Sequence, residues 1–299
     1  MPHFPHDIDK TSMILCRTVD ELLTQVQKDY FKGLKIGFVP TMGALHDGHG
    51  SLVKRSVADN DKTVVSIYVN PTQFGEGEDL DKYPRTLEKD SELLAKAGAD
   101  YIFAPDDSIM YPGGKEQREV LMSLRSMDQI LCGAKRPGHF NGVLIVVSKL
   151  LNIVRPHRAY FGEKDFQQVA IIRQLVDELF FPTEIVSCPI IRESDGLAMS
   201  SRNMYLEGDY RKQALFLSRA LDKVRGLASE GIPVSQLEEE VHNMLADYPL
   251  IKLDYFNIRS SAGLRSLEIL HASDVPRALI AAFCGKTRLI DNKAVFPEA

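Results

Sequence analysis

The sequence predicts an α/β chain: a doubly wound parallel sheet followed by a smaller α+β domain. Three observations predict it. Up to about residue 188, short β-branched runs alternate with stretches of helical apolar spacing. Two of these runs, at 36–39 and 159–161, pass through a glycine-containing turn straight into a helix. Beyond residue 204 the pattern changes to amphipathic helices and then short strands separated by tight turns. The division expected from this is 1–188 for the sheet domain and 189–299 for the C-terminal domain.

Taken in order, residues 1–7 lack the charged and apolar regions of a secretory leader and are expected to form a loose extension. Thr18 or Asp20 can cap a helix running to about Tyr30, after which Gly33 turns the chain into a strand at 36–39. The segment Val39-Pro40-Thr41-Met42-Gly43-Ala44-Leu45-His46-Asp47-Gly48-His49 should leave that strand, turn, and enter a helix near His49, with an apolar-periodic segment through Leu52, Val53 and Val57. The run 63–69 is too apolar for a surface strand and belongs in the middle of a parallel sheet. Asn70-Pro71 stops it, and 70–84 reads as a long loop at the same sheet edge as the histidines. A helix from about Thr86 to Lys96 ends at Gly98, and 101–104 supplies another strand.

Residues 106–140 are the least regular part of the first domain. Arg136-Pro137-Gly138-His139-Phe140 sets two potential cations on a turn before an apolar helix at 143–153. The strand 159–161 runs into Gly162-Glu163-Lys164-Asp165 and a helix through Val169, Ile172 and Leu175, and 183–188 is the last strand of the sheet. Met199-Ser200-Ser201-Arg202-Asn203 is expected on a mobile loop. Helices at 209–227 and 235–245 then precede strands at 253–258, 267–270, 278–283 and 287–290.

Composition excludes several classes of function. Lys+Arg of 36 against Asp+Glu of 41 gives a net charge of -5, which disfavours a nucleic-acid binder that works by neutralising phosphates. Cys16, Cys132, Cys188 and Cys284 are far apart without CxxC spacing, so a reduced cytoplasmic protein without structural zinc is expected. No apolar run reaches the roughly 18 residues of a membrane span. Gly285-Lys286-Thr287 resembles the end of a phosphate-binding P-loop, but Ile280 stands where the first glycine is required and no helix pattern follows. It reads as a β-turn. The absence of a GxGxxG turn argues against nicotinamide chemistry.

What remains points to attack on a nucleotide phosphate. Free N–H groups at a helix start attract phosphate oxygens, and the macrodipole adds roughly 0.3–1 kcal/mol for an anion there. His46 and His49 supply further N–H donors, neutral or charged, while Gly43 and Gly48 allow the backbone close to a ligand. No third ligand follows the histidines at a metalloprotease spacing, so no metal site is assigned. Lys164 lies at a helix start, where the dipole disfavours a cation unless a phosphate accompanies it. Ser200, Ser201 and Arg202 can wrap a triphosphate with hydroxyls, amides and a forked guanidinium.

The stretch from Pro40 to His49 resembles the HIGH-type motif of the nucleotidylyl transferase superfamily, in the form carried by the pantoate–β-alanine ligase family. Further motifs support the resemblance along nearly the whole chain: Val69 to Phe74, Tyr83-Pro84-Arg85-Thr86, Arg136 to Phe140, Phe161 to Gln168, Asp195 to Asn203, and Arg288-Leu289-Ile290-Asp291-Asn292. The resemblance implies a Rossmann-like first domain that binds nucleotide and pantoate, with the C-terminal domain as a lid. It implies ATP-dependent condensation of (R)-pantoate with β-alanine to pantothenate through a pantoyl adenylate, releasing AMP and pyrophosphate. The alternative is a related nucleotidyltransferase acting on a phosphate ester, which would lack the paired glutamines.

By the same resemblance, His46, His49, Lys164, Ser200, Ser201 and Arg202 are the catalytic phosphate ligands, with His49 as proton donor. The nucleotide would be framed by Met42, Gly43, Ala44, Leu45, His46, Asp47, Gly48 and His49, by Gly162, Glu163, Lys164 and Asp165, by Ile191, and by Met199, Ser200, Ser201 and Arg202. Gln73 and Gln168 would hold pantoate, with Asn70, His139 and Tyr83 as further candidates. ATP is then a substrate and Mg²⁺ arrives with it. Lys89 takes the place of an acidic residue that helps hold Mg²⁺ in some members, which leaves Asp90 and no assigned protein ligand. Gly50, Tyr68 and Thr72 also depart from the family pattern. A cytoplasmic homodimer without nucleic-acid or membrane partners is implied.

Overall fold

The computed structural model describes residues 13–75 and 77–297, so the extension expected over 1–7 lies outside the described residues. β1 (Ile14–Cys16) leads into α1 (Val19–Phe31). Thr18 caps α1: its hydroxyl accepts from the Glu21 N–H while the Glu21 carboxylate accepts from the Thr18 N–H, which pairs two orphan donors. β2 (Ile36–Thr41), α2 (Asp47–Asp59), β3 (Lys62–Ile67), α3 (Leu87–Ala97) and β4 (Tyr101–Phe103) follow in alternation. Short helices α4 (Asp107–Met110) and α5 (Leu131–Lys135) interrupt the irregular stretch before α6 (His139–Val154), β5 (Arg158–Gly162), α7 (Phe166–Glu178) and β6 (Glu184–Cys188).

The strands β1 to β6 pair in parallel in the order β1-β4-β3-β2-β5-β6. Ile36, Phe38, Val39, Val64 and Val65 at its centre are 0% exposed, so these runs are continuously apolar rather than alternating. One apolar core fills the face under α1, α6 and α7, and another the face under α2 and α3. β2 has β3 on one side and β5 on the other, so the order reverses between β2 and β5. Connections leaving the C-terminal ends of those two strands therefore diverge and open a crevice. The edge strand β1 has no counterpart in the sequence reading, because three residues of which Ile14 and Leu15 are exposed carry too short a pattern.

After β6 come α8 (Gly208–Gln213), α9 (Phe216–Leu227) and α10 (Val234–Met244), then an antiparallel sheet of β7 (Ile251–Ser260), β8 (Pro276–Cys284) and β9 (Thr287–Ala294). Its apolar face and the helices share a third core. The single helix expected over 209–227 is two helices, because Leu215 and Leu217 donate to Lys212 and Ala214 three residues back and tighten the chain into a turn. The strand expected at 267–270 is not one. That segment pairs instead with residues 231–234, and Pro233, with no N–H, cannot extend the ladder. Gly285-Lys286 forms the expected turn, with Cys284 paired to Thr287 across it.

Leu131 and Phe166 from the first half meet Leu264 and Leu279 from the second in a fourth apolar cluster, which ties the two sheets together. All four cysteines are free and buried: Cys16 and Cys132 in the first core, Cys188 in the second, Cys284 in the third.

Candidate active site

β2 hands the chain to a turn in which Gly43 and Ala44 both adopt left-handed backbone, with φ of +81° and +50°. Asp90, in the first turn of α3 and 1% exposed, braces it. One carboxylate oxygen accepts from the Ala44 N–H at 3.0 Å and the other from the Leu45 N–H at 2.8 Å. The turn delivers His46 to the N-cap of α2, whose first helical residue is Asp47 rather than His49.

His46 Nδ1 accepts from the Gly48 N–H at 3.1 Å, and His49 Nδ1 faces the His46 N–H at 3.4 Å. Each ring thus spends Nδ1 as an acceptor, which puts the hydrogen on Nε2. The ring centroids lie 4.2 Å apart. Burial lowers the pKa of His46, helped by the charge of Lys164. Burial, the neighbouring ring and Lys164 carry His49 down from 6.5 to about 3. Both rings are therefore neutral Nε2–H donors at neutral pH. Of the two forms left open by the sequence, these shifts favour the neutral one.

The second junction sits across the crevice. β5 ends at Gly162, and a 3₁₀ turn, Glu163–Asp165, leads into α7. Lys164 Nζ is 3.9 Å from the Asp165 carboxylate, and its charge is felt by both imidazoles.

The third segment is a pinned turn and not the mobile loop expected. Ser200 Oγ accepts from the Arg202 N–H at 3.2 Å and caps a 3₁₀ turn, Ser201–Tyr205. The Met199 N–H donates to Ile191 O at 2.9 Å, and the Asn203 amide donates to Ala198 O at 3.0 Å. Arg202 forks onto Asp79 at 3.0 and 2.8 Å.

A cleft of about 1050 Å³ lies between the two sheets. Of the residues predicted from sequence, His139, Lys164, Asp165, Gln168, Ser200 and Arg202 line it. The stretch 42–49 with His46 and His49, and also Gln73, Gly162, Glu163, Ile191, Met199 and Ser201, are outside its immediate wall. Ser201 stands between Ser200 and Arg202 of the wall, Met199, the residue before Ser200, has its Cβ 3.8 Å from where a Gly48 side chain would begin, and the charge of Lys164 in the wall reaches His46 and His49.

The glutamines differ in what holds them. Gln73 Oε1 accepts from Asn70 Nδ2 at 3.1 Å, and its Nε2 donates to Met42 Sδ at 2.9 Å. Gly142 makes this possible, since a Cβ there would stand 2.2 Å from Thr72 O and push the segment off α6. Gln167 is fully engaged, accepting from the Cys132 N–H and donating to Met127 O and Ile130 O. Its neighbour Gln168 lines the cleft, and no hydrogen bond joins its amide to another described residue. His139 Nδ1 reaches Gln73 O at 2.7 Å, and burial together with the Arg136 charge holds its pKa down to about 4.

Two cleft residues were not singled out from sequence. Glu78 takes both donors of Arg136 at 2.7 and 2.6 Å, as Asp79 does for Arg202. Burial works to raise the pKa of Asp79, but the Arg202 hydrogen bonds and charge prevail and hold it below the usual carboxylate value. The available signal was a run of acids in a loop beside expected phosphate-binding cations. Among the described residues no group of three or more His, Cys, Asp or Glu is placed to hold a metal ion. Asp90, the acid left beside Lys89, accepts one amide N–H on each carboxylate oxygen. No helix of the described residues is long and apolar enough to cross a membrane.

The family model for pantoate-beta-alanine ligase matches residues 14–294. A pantothenate synthetase of Bacteroides fragilis is 48% identical over 280 residues, which is 94% of this chain and 98% of that one. One of Pseudothermotoga lettingae is 46% identical over 281 residues, with 94% and 98% covered. The crystal structure of pantothenate synthetase from Thermus thermophilus superposes with a TM-score of 0.88 at 42% identity, covering 95% of this chain and 100% of that one. That of the Francisella tularensis pantoate-beta-alanine ligase, complexed with beta-gamma ATP and beta-alanine, gives 0.76 at 36% identity, covering 95% and 98%.

Proposed function

The chain belongs to the pantoate-beta-alanine ligase family, and from that premise we infer that it condenses pantoate with β-alanine at the expense of ATP. It is an AMP-forming ligase of pantothenate biosynthesis. The observation that carries the site assignment is the pair of neutral Nε2–H imidazoles at a helix start, with Lys164 close enough to bias both.

The reaction is read as two steps. The pantoate carboxylate, already ionised, attacks the α-phosphate of ATP, so no strong base is required. Negative charge grows on the α-phosphate and on the departing pyrophosphate. His46, His49, Lys164, Ser200, Ser201 and Arg202 are proposed to meet that charge, and a preorganised donor of this kind is commonly worth about 10²–10³ in rate. His49, neutral at working pH, would serve as a hydrogen-bond donor to phosphate rather than as a bulk acid. The β-alanine amine then attacks the acyl carbon of the pantoyl adenylate, and AMP leaves.

Gln168, free to rotate its amide, and Gln73, held by Asn70, are the proposed pantoate ligands. Mg²⁺ is proposed to arrive on the ATP phosphates. The C-terminal unit from 189 is proposed as the lid over the sheet domain of 1–188, and the active species as a cytoplasmic homodimer. Light scattering should then give twice the 33.5 kDa chain mass. Pyrophosphate release from ATP must require pantoate, and pantothenate formation must require both acids. Turnover with a phosphate ester in place of pantoate, or no adenylate from pantoate, would overturn the reading.

A further inference from the structure

The motif Arg288 to Asn292 has no part in the chemistry so far, yet two of its residues reach both phosphate-facing turns. We propose that Asp291 and Asn292, adjacent on β9, are positioning residues of the nucleotide site: Asn292 sets the turn carrying Lys164, and Asp291 sets the turn carrying Ser200 to Arg202. This deepens the ligase reading and rests on it.

Both side chains are buried, at 3% and 2% exposure. Asn292 Nδ2 donates to two successive carbonyls, Glu163 O at 2.8 Å and Lys164 O at 3.0 Å, while its Oδ1 accepts from Arg277 Nη1 at 2.7 Å. Two donors on consecutive carbonyls leave the 3₁₀ turn one path, and Lys164 departs from that path. The Arg277 guanidinium lies 4.2 Å from the centre of the Phe166 ring and 3.4 Å from the Glu163 carboxylate, which closes the frame on its other side.

Asp291 takes both arms of Arg192, at 2.7 and 2.9 Å, and also the Asn292 N–H at 2.7 Å. Arg192 Nη1 donates as well to Gly196 O at 3.0 Å, and Arg192 bridges to Ala198. It thereby closes the excursion whose exit is Met199 and Ser200. The spacing between the Lys164 turn and the Ser200 turn is thus set by one peptide unit of a strand in the other sheet. Fold stability alone does not call for this, since desolvating buried charges offsets much of what they gain, and apolar residues would hold β9 in place at least as well. Polar side chains are required where particular carbonyls and a particular guanidinium must be addressed.

The test uses the full chain with Asn292→Ala and Asp291→Asn, and measures single-turnover pyrophosphate release from ATP and pantoate without β-alanine, together with steady-state pantothenate formation in its presence. Loss of positioned groups should lower kcat/KM for ATP at least about tenfold, while KM for β-alanine moves less than about twofold. In a Lys164→Ala background the Asn292→Ala penalty should largely vanish, because one acts through the other. A purely structural part would leave KM for ATP unchanged, scale both half-reactions by the folded fraction, and persist in that background; this result overturns the proposal. If the alanine variant does not fold, Asn292→Asp, of equal volume but without the two donors, gives the same discrimination. Should the unmutated protein release no pyrophosphate with pantoate, the ligase reading falls and takes the proposal with it. Normal release with unaffected variants sinks the proposal alone.

Discussion

The proposed role of His46 and His49 is that of fixed dipoles, since burial lowers the pKa of both rings. Nuclear magnetic resonance of the His49 ring should give a midpoint near about 3, and one at the ordinary 6.5 would contradict the burial argument. The linkage has a definite sign: the folded state binds fewer protons here than the unfolded chain, so the contribution to stability is complete above 6.5 and is lost as pH falls toward about 3. His49→Ala should slow adenylate formation at least about tenfold, with the fold intact. The adjacent glutamines give a sharper contrast. Gln168→Ala should raise KM for pantoate and leave stability nearly unchanged, whereas Gln167→Ala strands the Cys132 N–H and two carbonyls and should cost about 1–3 kcal/mol in denaturant unfolding. The reverse pattern would show that the wrong glutamine has been assigned to the substrate.

At the scale of elements, the turn between β2 and α2 is a strained segment held from outside. Asp90→Ala would leave the Ala44 and Leu45 amides without their acceptor; it should cost about 1–3 kcal/mol and slow the first half-reaction more than it destabilises the fold. Equal loss in both measures would make Asp90 a fold residue only. The caps at Thr18 and Gly98, the buried strands and both strand-turn-helix junctions were legible because their signals are local: one side chain, one period, one glycine. The partners of the site residues were not. Asp79 and Arg202 are 123 residues apart, and Asn292 lies 128 from the carbonyl of Lys164. No window of sequence contains both ends of such a bond. The resemblance named the proposed phosphate ligands, but what holds those side chains in place is decided by tertiary packing.

Over the whole molecule, the halves are joined by polar fastenings at the cleft and by the apolar contact of Leu131 and Phe166 with Leu264 and Leu279. The four buried thiols turn this into something countable. Cys16 and Cys188 sit in the two cores of the larger sheet and away from the cleft, while Cys132, in the first core, and Cys284, in the third, also reach the cleft wall. Alkylation followed by mass spectrometry then works as a set of stopwatches, each started by the opening of its own compartment. If the joint between the halves makes them yield as one body, Cys16 and Cys188 should be tagged in lockstep and the two cleft thiols sooner, with ATP delaying Cys132 and Cys284 most. A Cys188 adduct accumulating ahead of Cys16 would mean that the two faces of the larger sheet open separately.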